Sequence, residues 1–422
     1  MSRIEIYVYA GWKQVEQPTL MGKLYAETTR GNEVFSFEYD NDWLQSRHAM
    51  VIDPDLQLMD APQYLPDQGD NAKETFGVFT DSSPDKWGRL LMRRREAVLA
   101  RIEKRRENRF QTSDYLLGVH DQQRIGGLRY KLEPDGAFLK NEERFPAPPM
   151  ARLRELEQIS LNLENKDAAD DPEYLEWLNQ LIAPGASLGG ARPKAGVTDL
   201  QNHLWIAKFP STSDLFNAGG WEMATRNMAI EAGIIVPEAR IEQFNSDHHT
   251  FLIRRFDRID SKRIHFLSAM TVLGEKDFHQ DASYLHLAEW IIANGSSPDE
   301  DLEQLFRRVC FNVCVSNVDD HLRNHGFLLD DNGWRLSPAY DINPDSQGRG
   351  LRLNISETSN ALDLDLCLKV SGYFRVSKGQ GVKIIEQIKK ATSNFKEEAL
   401  KLGINKTDID LVAGAFGNWK NN

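Results

Sequence analysis

The stretch from Asp301 to Leu336, DLEQLFRRVCFNVCVSNVDDHLRNHGFLLDDNGWRL, limits the possible folds of this 422-residue chain more than any other. Leu302, Leu305, Phe306, Val309, Cys310, Val313 and Cys314 recur at helical spacing, so one stripe of a helix must be buried. The stripe stops at a bend that holds Asp319, Asp320, His321, Arg323, Asn324 and His325. Two short apolar runs then flank Asp331-Asn332-Gly333, a strong short-range hairpin signal. Buried helix, polar turn and hairpin must therefore follow one another, with ionisable groups gathered at the mouth of the helix.

Around this stretch the chain reads as a soluble globular protein. It is long enough for two to three domains, and 41% hydrophobic with 27% charged residues is ordinary composition. No run approaches the roughly 18 to 20 apolar residues of a membrane span. The start, MSRIEIYVYAGW, alternates as a strand rather than a signal peptide. Cys310, Cys314 and Cys367 are sparse and odd in number, which points to small core residues in a cytoplasmic protein. The net charge of -12 argues against the whole surface being a nucleic-acid platform. The segment Arg89–Arg109 runs the other way, with nine Lys/Arg against three Glu, or +6, which leaves -18 for the rest. It reads as a solvated helix whose Glu and Arg pair at helical spacing, or as a docking face for an acidic partner or a nucleic-acid backbone.

The first ~130 residues are strand-rich: RIEIYVYA and the two runs of GKLYAETTRGNEVFSFEY alternate apolar and polar, with a turn at Thr29-Arg30-Gly31-Asn32. FTDSSPDKWGRLLMRR reads as a helix start capped by Ser82 or Ser83, with Pro84 in its first turn. Four prolines in PDGAFLKNEERFPAPPM mark a boundary, which divides the chain into residues 1–148 and 149–422. The second part reads as strands and helices to about residue 258 and as mostly helical beyond.

Asp319 and Asn324 have four residues between them, the spacing of a kinase catalytic loop. One tight turn then lets the aspartate accept a proton from an attacking hydroxyl while the asparagine carbonyl reaches a metal on the phosphates. Asp320 would leave only three intervening residues, so Asp319 is the candidate base. After the hairpin, LSPAYDINP supplies Asp341 as an ionised second metal ligand, followed by Ile342 and Asn343 where kinases usually carry Phe-Gly. Upstream, APGASLGGARPKAG can wrap phosphates with backbone N–H groups, although it fits neither usual glycine-rich nucleotide motif. Lys208 ends the strand HLWIAKFP as a point charge for phosphate, and Glu222 in the next helix can orient it. FLIRRFDR would connect two lobes, with backbone around Arg255 and Phe256 meeting an adenine edge.

The segments SLGGARPKA, IAKFP, RRFDR, SNVDDHLRNHGF and SPAYDINP, in this order and with FGVFTDSSPDKWGRLLMRR upstream, resemble the HipA-type bacterial toxin kinases over nearly the whole chain. The resemblance implies an α+β, two-lobed protein-kinase-like fold with an N-terminal β-rich subdomain and a mostly helical C-terminal lobe. It implies a protein Ser/Thr kinase that uses ATP and Mg²⁺. Asp319 would be the base, and Asn324 and Asp341 would hold Mg²⁺. ATP would be met by Ser187, Leu188, Gly189, Gly190, Lys208, Arg255, Phe256, Asp257, His321 and Tyr340. Ser187 matches a serine that family members autophosphorylate, which ejects the loop and switches the kinase off. The resemblance also implies a helix-turn-helix DNA-binding antitoxin as partner, most DNA contact being left to it, and an aminoacyl-tRNA synthetase as substrate class. Two rivals stand beside this: a small-molecule phosphotransferase with a similar Asp…Asn…Asp set, and a non-catalytic member of a repressor complex.

Overall fold

The structure is a computed structural model that describes residues 3–29, 31–66, 73–139, 147–182, 190, 192–275 and 282–417. These residues form two compact units, Met1–Ala207 with Asp257–Lys276, and Lys208–Phe256 with Asp277–Asn422. The first unit takes in residues on both sides of the expected 148/149 boundary. The fold is α+β, with a β-rich N-terminal sheet and a mostly helical C-terminal part, as the sequence led us to expect.

In the first unit, β1 (Arg3–Ala10), β2 (Thr19–Thr29), β3 (Asn32–Tyr39), β4 (Gln63–Tyr64) and β5 (Leu128–Lys131) make an antiparallel sheet in the order β4-β3-β2-β1-β5. Period-2 alternation puts Ile6, Val8 and Ala10 of β1 fully inside. Asp53, in the same unit, is buried and accepts from the N–H groups of Asp55 (3.0 Å) and Val78 (2.9 Å). Burial pushes its carboxyl up to about 6, against the lowering pull of those two hydrogen bonds. A carboxyl raised by folding binds its proton more tightly in the folded state. Its contribution is therefore complete below pH ~4 and is lost as pH rises through about 6. The expected result is that Asp53→Asn gains on the wild type by up to roughly 3 kcal/mol between pH 4 and 7, read from urea unfolding. A pH-independent difference between the two proteins would count against this.

The helix α1 (Lys86–Ile102) starts later than the sequence suggested. Asp85 caps it through Gly88 N–H (2.8 Å), and Ser83 instead returns its hydroxyl to Phe79 O, so neither Ser82 nor Ser83 is the cap. Pro84 consequently precedes the helix. An aspartate outcompetes serine here because its second oxygen has its own partner: Lys194 Nζ lies 2.7 Å away, and both side chains are almost wholly buried. Lys194 follows the glycine-rich segment, and it also donates to Gly190 O (3.2 Å) at a backbone φ of +94°. Next along the chain come β6 (Lys194–Thr198) and its sheet neighbour β7 (Leu204–Lys208), whose last residue belongs to the second unit.

The second unit continues with α2 (Ala218–Glu231), capped by Asn217, and the antiparallel pair β8 (Ala239–Glu242) and β9 (Thr250–Arg254). The helical part includes α3 (Tyr284–Asn294) and α4 (Pro298–Val315), followed by the hairpin β10 (Gly326–Asp330) and β11 (Gly333–Leu336), and later α5 (Lys378–Ser393). α4 packs against α3 and α5, and every residue of its apolar stripe is fully buried. Cys310, Cys314 and Cys367 form no disulfide and are buried, as expected of core residues. Asp301, in the first turn of α4, accepts from Leu336 N–H (2.9 Å) and takes the Arg335 guanidinium. The start of the helix thereby grips the hairpin that follows its end, and the polar turn between them is held from both sides. No helix among the described residues is long and apolar enough to cross a membrane.

Candidate active site

α4 ends because Ser316 takes the left-handed conformation, φ +49°, and Asn317 N–H then returns to Asn312 O (2.9 Å). The chain turns through Asp319 and Asp320 into a single 3-10 turn, Leu322–Asn324, and enters β10. The two adjacent aspartates have opposite surroundings. The Asp319 side chain is 79% exposed and meets Arg352 Nη1 at 3.3 Å. An exposed pair of this kind adds little to stability and leaves the carboxylate open to an incoming group.

Asp320 points inward. One of its oxygens accepts from the Tyr284 hydroxyl and from Asn312 Nδ2 (2.8 Å), and meets His325 Nε2 at 2.8 Å. Burial by itself would raise this carboxyl. The His325 ring, its hydrogen bond and that of Tyr284 outweigh burial and hold it below the ordinary carboxylate range. Spacing had already favoured Asp319 as base, and the burial of Asp320 supplies a separate physical reason for the distinction. Tyr284, Asn312 and His325 received no role from the sequence. One signal was legible: Asn312 is the one polar side chain in the apolar run Val309–Val315, and a buried polar residue usually has a partner.

Asn324 is buried, with Nδ2 donating to Asp319 O (3.3 Å), which ties the two ends of the turn together. Tyr340 hydroxyl donates to Arg323 O (2.7 Å), and its ring lies against Phe256 at 5.3 Å between centroids. This brings the segment carrying Asp341 up to the turn carrying Asn324. Further anchors are Thr225 Oγ1 on Ile342 O (2.6 Å) and Ala339 N–H on Ile235 O (2.8 Å). Between them Asp341 adopts φ +59°, a left-handed backbone that a non-glycine residue holds only when its surroundings impose it.

Lys208 Nζ sits 2.6 Å from Glu222 Oε1 and 2.6 Å from Asp341 Oδ1, and 5.8 Å from the centre of the Phe251 ring. Burial would lower its pKa, but the Asp341 and Glu222 carboxylates more than reverse this and keep it a firm cation. Asn343 Nδ2 also donates to Asp341 Oδ1 (3.1 Å). One positive charge against two negative leaves this corner net anionic, so it favours a further cation.

The remaining expected ligands are distributed differently. His321 is half-buried, with Nδ1 lacking a hydrogen-bond partner among the described residues. Arg255 is buried in the second unit. Asp257 belongs to the first unit, where it accepts from Gly126 N–H (2.8 Å) and pairs with Arg258 (2.5 Å). Ser187, Leu188 and Gly189 lie outside the described residues. Asn324 and Asp341 offer hard oxygen donors to a cation. No cluster of three His, Cys, Asp or Glu side chains fit to hold a metal occurs among the described residues. A donor set this small suits an ion of the Mg²⁺ type, which uses one or two carboxylates and takes its remaining ligands from water and substrate phosphate.

Comparison with known proteins agrees with this picture. The family model for the HipA N-terminal domain matches residues 17–130, and that for the HipA-like C-terminal domain matches residues 186–395. A Haemophilus influenzae protein named "Putative kinase" is 27% identical over 252 residues, 53% of this chain and 69% of that protein. A Sinorhizobium fredii protein named "Putative kinase Y4mE" is 28% identical over 148 residues, 32% of this chain and only 33% of its own length. The solved HipA of Shewanella oneidensis MR-1, from a toxin–antitoxin complex with HipB and operator DNA, superposes with a TM-score of 0.67. That alignment covers 99% of this chain and 97% of the other at 15% identity, so it establishes the shared fold.

Proposed function

The chain belongs to the HipA family, and from that membership and the charge arrangement at Lys208 we propose that it is an ATP- and Mg²⁺-dependent protein serine/threonine kinase, the toxin of a toxin–antitoxin pair. The observation that carries this reading is Lys208, held between Glu222 and Asp341, with Tyr340 tying the Asp341 segment to the turn of Asp319 and Asn324.

Each residue has a task that follows from its surroundings. Lys208 is a fixed cation for the nucleotide phosphates, oriented by Glu222. Asn324 and Asp341 would hold Mg²⁺, which when bound supplies charge neutralisation on the phosphate oxygens. The strained backbone at Asp341 sets the direction of its carboxylate in advance. Asp319, open to solvent beside the turn, would orient the acceptor hydroxyl and take up its proton. Ser187 matches the serine that family members autophosphorylate, and a phosphate there would add a dianion to the glycine-rich segment and switch the kinase off. The complex of the S. oneidensis HipA with HipB and operator DNA supports a DNA-binding antitoxin as partner here, of the helix-turn-helix type that the resemblance implies. An aminoacyl-tRNA synthetase is the acceptor class to try first, in the cytoplasm.

The test is incubation with labelled ATP, Mg²⁺ and a bacterial lysate, beside Asp319→Asn, with mass spectrometry to place each phosphate. The expected result is a discrete labelled lysate protein and phosphate on Ser187, both absent in the variant. Label confined to small molecules would point to a small-molecule phosphotransferase. Mg²⁺-ATP binding with no transfer, in protein free of prior phosphate, would point to a binding protein.

A further inference from the structure

The basic segment was singled out in the sequence, and nothing in the proposed phosphotransfer uses it. Its structure differs from the expected solvated helix with internal pairs. α1 stops at Ile102, and residues 103–109 fold back as an ordered hook. Glu96, buried on α1, organises it: both its oxygens take the Arg105 guanidinium, and one also accepts Asn108 N–H (2.7 Å). Arg105 N–H returns to Ala100 O (3.0 Å), and Lys104 turns the chain at φ +53°. Arg105 also pairs with Glu103. Two of the three glutamates are therefore spent on one arginine, at a spacing no helix would give.

What remains outside is five cations against one exposed carboxylate, Glu107. Arg93, Arg101, Lys104, Arg106 and Arg109 are all exposed, and none of their side chains has an ion-pair or hydrogen-bond partner among the described residues. Arg101 and Lys104 sit at the C-terminal end of α1, where the helix dipole accounts for part of their stability. It does not account for Arg93, Arg106 or Arg109. On a chain of net charge -12, such a patch keeps its sign locally because the acidic remainder is screened beyond about 8–10 Å.

We propose that this hook is a docking surface for the phosphate backbone of duplex DNA. Protein partners need an apolar centre from which charge is depleted, and from Arg101 to Arg109 the only apolar side chain is Ile102. A single strand would need stacking faces, but the nearest aromatic, Phe110, is half-buried and already stacked on Tyr115 at 5.2 Å. A patch of exposed cations without either feature suits a phosphate backbone, where binding comes from counterion release. The choice of DNA rests on the reading above, in which a DNA-binding partner brings the chain to an operator. The surface would add sequence-independent contacts beside that partner's own.

The test measures binding of the full chain alone to a fluorescent 30-base-pair DNA duplex by anisotropy, as a function of salt. The triple variant Arg93→Gln, Arg101→Gln, Arg106→Gln is compared with Lys378→Gln, Lys383→Gln, Lys390→Gln on α5, which changes the net charge equally. The expected result is a salt slope reduced by about 3 and affinity at low salt at least roughly tenfold weaker in the first variant only. Equal binding by both variants, no binding by the wild type in 50 mM salt, or a clear preference for duplex RNA or an acidic peptide would overturn the proposal. Unchanged circular dichroism of both variants separates loss of contact from loss of fold. Because no step depends on phosphotransfer, failure here leaves the kinase reading intact, and loss of the kinase reading leaves this binding result standing.

Discussion

Asp341→Asn is expected to lower phosphotransfer by at least about a thousandfold while the protein still folds. Three decades correspond to about 4 kcal/mol of barrier, the scale expected when an ionised group that organises charge at the phosphates is neutralised. The substitution is chosen to be minimal. Asparagine tolerates the left-handed backbone at φ +59° about as well as aspartate does, so the local strain is unchanged. Lys208 keeps Glu222 at 2.6 Å and is not left as an unpaired buried cation. What disappears is one negative charge, and with it the net anionic character of the corner. The measurement is single-turnover transfer from labelled ATP, with melting temperature and nucleotide affinity followed in parallel. Transfer within tenfold of wild type would remove Asp341 from the reaction and with it the assignment of this corner.

Asp320→Ala should instead act on stability. The wild-type carboxylate serves Tyr284, Asn312 and His325 inside the second unit, and alanine removes the oxygen all three meet, leaving Asn312 Nδ2 only its longer contact to the Tyr284 hydroxyl (3.4 Å). Breaking a buried charged network from one side costs ~3–5 kcal/mol, most of it from the stranded partners. Urea unfolding at pH 7 should show a loss of that size, and Asp320→Asn a smaller one. The pH dependence has a definite sign. A carboxyl held below its ordinary range by folding contributes stability that is present above the unfolded value and lost as pH falls through the folded one. The gap between wild type and variant should therefore narrow in acid. Turnover will fall as well, because the turn bearing Asp319 and Asn324 is built on this network. Full stability in Asp320→Ala would show that the turn is held by something else.

The pair Asp319 and Asp320 also marks where one-dimensional reading stops. Both are aspartates in one polar bend, and only the count of residues to Asn324 told them apart. The folded chain separates them by environment, one largely exposed and the other meeting two donors and an imidazole from α3, α4 and the end of the turn. Tyr284 is 36 residues from Asp320, and no local pattern connects them. The cap of α1 is a similar case. Serine, serine and aspartate in a row all satisfy the chemistry of a cap, and a lysine 109 residues away favours the aspartate.

Patterns of short period carried the rest. The alternation of β1 to β3, the stripe of α4, the Asp-Asn-Gly hairpin and the spacing of Asp319, Asn324 and Asp341 were all determined by the sequence alone. Each depends on residues within about twenty of one another, and apolar periodicity and turn chemistry act at that range. Tertiary structure alone decided which charges meet. It joined Lys208 to Asp341 across 133 positions and joined Asp320 to Tyr284 across 36. Burial and pairing set the ionisation and reach of a charged side chain, and both come from packing between distant segments.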